Sequence, residues 1–156
     1  MGIEANFDMK AIDKYLSERL DTLDELIIRN LNFLGMKCVS LAKSLDTYKD
    51  RTANLRNSIG YVVLKNGRVK YENFKAEKQG TELSEESGVL IGLEFARDLA
   101  KRFSEGYVLI VVAGMQYASY VEDIHHLDVL SSAEKLAESE IENVAKKIIN
   151  SMVNSL

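Results

Sequence analysis

The sequence predicts an α+β domain in which a small, mainly antiparallel sheet packs against a long N-terminal helix and a C-terminal helix. Three observations predict it. Apolar residues recur at helical spacing near both ends of the chain, an Asn-Gly pair at 66–67 separates two runs rich in β-branched and aromatic residues, and Tyr107 to Ala113 is an unbroken apolar run.

The first helical stripe is Met9, Ile12, Leu16, Leu20, Leu23, Ile27, Leu31, Leu34, Cys38, Leu41 and Leu45, each three or four residues from the last. Asp8 is placed to cap it by accepting a first-turn N–H. Gly35 disfavours helix by about 1 kcal/mol relative to alanine, so a bend or break is expected there. An unbroken helix over 8–46 would reach roughly 60 Å at about 1.5 Å per residue. It either splits in two or projects beyond the body to meet a neighbour.

Asp50 to Ile59 combines a turn signal, a polar cluster and a strand entrance. Locally, Thr52 is placed to cap one helical turn through Leu55, Asn54 to satisfy a nearby backbone group, and Leu55 and Ile59 to anchor the strand entrance. Ile59–Leu64 and Arg68–Phe74 read as a hairpin about Asn66-Gly67, which tolerates the positive φ values of a type I′ turn. Lys75 to Ser87 reads as a polar loop. Periodicity leaves 89–93 open between a strand and a first helical turn. Phe95, Ala96, Leu99, Ala100 and Phe103 fit a short helix that Gly106 is expected to stop. Tyr107–Ala113 reads as a strand covered on both faces and is the candidate for the centre of the sheet. The last helix carries Ala133, Leu136, Ala137, Ile141, Val144, Ile148 and Met152 inward, with Ser131 or Ser132 as its cap.

At 156 residues the chain suits a single domain, with a helical segment at 8–46 and a sheet-containing body with its C-terminal helix at 50–156. A net charge of −4 has the wrong sign for gripping a phosphate backbone. One cysteine excludes an intrachain disulfide and suits a reducing compartment. No apolar run is long enough to span a bilayer, and the first eight residues lack the basic and apolar regions of an export signal.

Candidate chemistry is sparse. His125 and His126 lie near Glu122, Asp123 and Asp128, but adjacent residues point to different sides of an element, so a solvated turn is expected rather than a metal site. Cys38 falls on the apolar stripe, where a thiol is inert. The serines lack a nucleophile elbow and the glycines form no phosphate loop. Lys65, Arg68, Lys70, Lys75 and Lys78, diluted by Glu72 and Glu77, read as a solvated strand face. No catalytic residue, cofactor site or metal site is expected.

Three segments taken in order carry more. They are Thr52-Ala53-Asn54-Leu55-Arg56-Asn57-Ser58-Ile59, then Tyr117-Ala118-Ser119-Tyr120-Val121-Glu122, then Asp128-Val129-Leu130 before the final helix. This order resembles the tail-completion and head–tail joining (neck) proteins of long-tailed bacteriophages, in which a Thr-Gly-x-Leu-x-x-Ser-Ile stretch precedes the first strand and Tyr-Ala-x-Tyr-Val-Glu follows the last. The matching structural positions are Thr52, Asn54, Leu55, Arg56, Ser58, Ile59, Tyr117, Ala118, Tyr120, Val121 and Glu122, within a loose likeness over 50–150. Ala53 stands where the family has glycine, so this turn is not expected to rely on freely adopted positive φ, and Asp123-Ile124-His125-His126 departs from the family's aromatic-Gly-Thr continuation.

The resemblance implies a non-enzymatic virion protein, assembled in the bacterial host cytoplasm. It would act as a ring of sixfold or twelvefold closure with other neck or tail proteins as partners, DNA at most passing through the lumen, and no membrane. An acidic lumen would suit that passage. The long first helix is the expected inter-subunit contact. An intracellular assembly adaptor or chaperone is the alternative, and a metal-dependent hydrolase around His125 and His126 a third reading.

Arg56 is expected to pair with Glu122, joining the first two segments by a charge-assisted contact. A double-mutant cycle over Arg56→Ala and Glu122→Ala should then show coupling of about 1 kcal/mol or more in urea unfolding; strictly additive effects would contradict the pairing.

Overall fold

The computed structural model describes residues 8–45, 52–76, 87–116, 118–119 and 128–154. Its elements are α1 (Met9–Ser44), α2 (Asn54–Asn57), β1 (Ile59–Lys65), β2 (Arg68–Asn73), α3 (Gly88–Ala100), β3 (Tyr107–Ala113) and α4 (Ser131–Val153). The arrangement is the α+β class expected: a long N-terminal helix, a three-stranded antiparallel sheet and a C-terminal helix.

Asp8 starts α1 as expected, its Oδ1 accepting from the backbone N–H of Lys10 at 3.0 Å and of Ala11 at 3.3 Å. The helix then runs unbroken for 36 residues, so the break expected at Gly35 does not occur. Glycine is there for another reason. A Cβ at position 35 would stand 2.5 Å from the Tyr61 ring, which packs directly on the helix backbone and donates its hydroxyl to Asn32 Oδ1 at 2.7 Å.

The strand order is β2-β1-β3, with both pairings antiparallel. β1, not β3, is therefore the centre of the sheet. The apolar continuity of β3 reflects cover by helices on both faces rather than a strand on each side. Leu109, Val111 and Ala113 pack into the core beneath α1, while Ile110 and Val112 belong with Val62, Leu64, Ala96 and Ala100 beneath α3. The hairpin turn forms as predicted, with φ of 50° at Asn66 and 72° at Gly67.

Residues 89–93 are helical, within α3, and Ser87 Oγ accepts from the Leu90 N–H at 3.5 Å. The helix ends at Ala100 instead of running to Gly106. Gly106, at φ 74°, serves the hairpin: its N–H donates to Asn66 Oδ1 at 2.9 Å and its carbonyl accepts from the Asn66 N–H at 2.8 Å. Ser131 and Ser132 likewise lie inside α4 rather than capping it. Asp128 reaches forward in their place, accepting the Ser132 N–H at 3.1 Å and also the Ser132 hydroxyl. Of the expected loop 75–87, only Lys75, Ala76 and Ser87 are among the described residues. No helix among the described residues is long and apolar enough to cross a membrane.

α3 approaches its neighbours by backbone contact. A Cβ at Gly88 would meet the Asn54 carbonyl oxygen at 2.2 Å, and one at Gly92 the Ser58 carbonyl oxygen at 2.2 Å. Neither obstacle is a flexible side-chain tip, so the helix itself must shift. Gly92→Ala should lower unfolding stability by about 3 kcal/mol or more, at the upper end of overpacking costs, read from the urea midpoint at unchanged m-value.

Candidate functional site

The three sequence segments converge. Leu55 and Ile59 from the first, Ala118 from the second and Val129 from the third share one core with Leu31, Leu34 and Cys38 of α1. Leu55, Ile59 and Val129 are at most 1% exposed. Tyr117, Tyr120, Val121 and Glu122 lie outside the described residues, as do His125 and His126, and with them the Arg56–Glu122 pairing.

The polar residues of the first segment work inward. Thr52 Oγ1 accepts from the Asn54 N–H at 3.3 Å, but the N-cap of α2, which runs from Asn54 to Asn57, is Ala53, so Thr52 braces the turn before the helix instead of capping it as expected. Ala53 adopts φ 60° despite carrying a Cβ, so the turn does use the left-handed conformation and departs from the expectation that alanine would avoid it. That conformation costs an alanine about 1–2 kcal/mol. Its carbonyl is engaged by the Asn57 N–H at 2.9 Å, and the residue is buried.

Ser58, fully buried, is the hub. Its Oγ donates to the Leu55 carbonyl at 2.8 Å and accepts from the Met115 N–H at 3.3 Å, while its carbonyl accepts from the Gly114 N–H at 3.3 Å. Asn54 Oδ1 accepts from the Gly88 N–H at 3.4 Å, and the Arg56 guanidinium donates to the Leu45 carbonyl at 2.9 Å. These contacts tie the entry to β1, the start of α3, the exit of β3 and the end of α1 into one junction. Buried polar groups satisfied in this way specify a geometry rather than offer groups to a substrate.

Sequence reasoning missed two features. Asp24 bonds both Lys65 and Tyr107, fastening α1 to the far end of β1 and the start of β3; nothing in the sequence marks that triad. The spacing of Gly88, Gly92, Ala96 and Ala100 is a readable signal of close helix approach. Among the described residues no three His, Cys, Asp or Glu side chains are grouped as a metal site requires.

Most of the exposed apolar surface lies elsewhere. Met9, Leu16 and Leu20 are 62%, 54% and 61% exposed, and Ile12 and Tyr15 are exposed beside them. The same stripe is buried at Leu31, Leu34 and Cys38. On α4, Ile141, Ile149 and Val153 are also exposed.

Comparison with protein-family models, with curated proteins and with solved structures found no match to this chain.

Burial pushes the Cys38 thiol above its ordinary value of 9.0, reinforced by the Glu140 carboxylate, and pushes the Tyr61 phenol above 10.0. Both groups are neutral when protonated, so the stability they contribute is fully present below their unfolded values and is lost as pH rises through the raised native ones. The urea midpoint should therefore hold steady through neutral pH and fall above about pH 9, with a shallower fall in Cys38→Ala.

Proposed function

We propose that the chain is a structural component of a tailed phage, acting at the neck in head–tail joining or tail completion as a subunit of a closed ring. The carrying observation is that the three ordered segments of the resemblance, far apart in sequence, meet in one core around Leu55, Ile59, Ala118 and Val129. The Ser58 hydroxyl and the Asn54 side-chain oxygen engage the chain's own backbone, as suits a rigid building block.

The mechanism is shape complementarity. Identical subunits contact head to tail, the rotation between neighbours closes the ring, and each face of the ring meets a different partner structure. The net charge of −4 favours passage of DNA through such a ring, because like charge along a lumen discourages adhesion of phosphate.

Two readouts test the reading. Mass spectrometry of purified particles should find the chain as a stoichiometric component, and electron microscopy should find the purified chain docked as a ring on the ends of isolated tail tubes. Presence in infected cells with absence from finished particles would contradict virion membership and favour an assembly adaptor.

A further inference from the structure

The apolar stripe of α1 has a regularity that its individual spacings conceal. Met9, Ile12 and Leu16 are repeated eleven residues later by Leu20, Leu23 and Ile27, and again by Leu31, Leu34 and Cys38, with Ala42 beginning a fourth unit. Eleven residues in three turns is 3.67 per turn, close to the period of an undistorted helix, so the stripe runs nearly straight along one side. The third unit is covered by this chain's own core, and Ile27 packs at the edge of that core. The first unit and Leu20 carry the same pattern onto a stretch that the described body leaves uncovered. This arm, Met9 to Leu23, is about 22 Å long. Its surface is that of a helix seam that no second helix covers among the described residues.

The charges beside the seam indicate what fits it. At 100° per residue, Asp13 borders one side of the stripe and Arg19 the other, with the Arg19 guanidinium 5.0 Å from the centre of the Tyr15 ring. Over residues 9–22, Lys10, Lys14 and Arg19 balance Asp13, Glu18 and Asp21. The arm therefore presents no net charge for an acidic or basic partner to read. It does present one acidic and one basic flank. When two such helices lie parallel, the acidic flank of one faces the basic flank of the other; when they lie antiparallel, like flanks face each other. Opposite charges at flanking positions set orientation in this way, and like charges oppose it.

We infer that the arm's partner is the arm of a second copy of this chain, packed parallel, burying Met9, Ile12, Leu16 and Leu20 and setting Asp13 of one copy against Arg19 of the next. Parallel packing places both bodies at the same end, the arrangement that rotational symmetry about the helix direction requires. The inference deepens the self-assembly part of the function proposed above and is independent of the phage assignment.

Sedimentation velocity of the full chain over a concentration series tests it, with circular dichroism as the check on folding. Wild type should self-associate. Leu16→Glu, at an exposed position that the fold does not need, should weaken association at least tenfold with the helical signal retained. Asp13→Arg and Arg19→Asp should each weaken it several-fold, and the double reversal should restore it to near the wild-type level. A wild type monomeric throughout, or a Leu16→Glu variant that associates normally, overturns the inference; single reversals that strengthen association overturn the parallel orientation. A chain that pairs through its arms but is absent from particles refutes the neck reading alone, whereas one present in particles whose arm variants still associate refutes this inference alone.

Discussion

The contact on which the rest of the structure depends is the seat of the Tyr61 ring on the backbone of α1 at Gly35. Tyr61 lies in the central strand, opposite Val111 of β3 and Asn73 of β2, so one contact sets the height of the helix above the whole sheet. With the helix held there, Leu31, Leu34, Cys38 and Ala42 fill the layer between them. The geometry also has a remainder. Strands of seven residues run about 23 Å, while 36 helical residues run about 54 Å. Asp24 already meets Lys65 and Tyr107 at one end of the sheet, so the turns of α1 before it, Met9 to Leu23, extend past the sheet, and they keep the residue types of a core.

The second constraint is the junction at the entrance to β1. Ser58 holds the exit of β3, Asn54 holds the start of α3, and the glycines at 88 and 92 let α3 close to backbone distance over both. Ala53 supports this arrangement in a left-handed conformation that its methyl group disfavours. Strain of this kind persists only where the surroundings over-determine it. Here the surroundings are three secondary-structure elements meeting at one buried serine.

Local signals carried much of this into the sequence. Helix periodicity, the Asp8 cap and the Asn66-Gly67 turn are consequences of short-range stereochemistry, and each appears where the sequence places it. The errors came from contacts between distant residues. Gly35 looks like a helix breaker until the Tyr61 ring is known to lie on it, and Gly106 looks like a helix stop until its bond to Asn66 is known. β3 reads as the central strand because cover by helices on both faces produces the same apolar run as a flanking strand on each edge. At the candidate site, composition marked Thr52 to Ile59 as a polar turn before a strand. Its meeting with Ala118 and Val129 is a property of the tertiary fold that no local pattern encodes.

The central claim is that one continuous stripe on α1 has two covers, the chain's own core at Leu31, Leu34 and Cys38 and a second copy over Met9 to Leu20. Native-state hydrogen exchange resolved along α1 at two protein concentrations tests it most directly. The account predicts amides near Leu31 to Ala42 that exchange slowly at any concentration, and amides of the arm that exchange much faster when dilute and gain protection as concentration rises. Arm amides whose exchange rates do not change with concentration would contradict it.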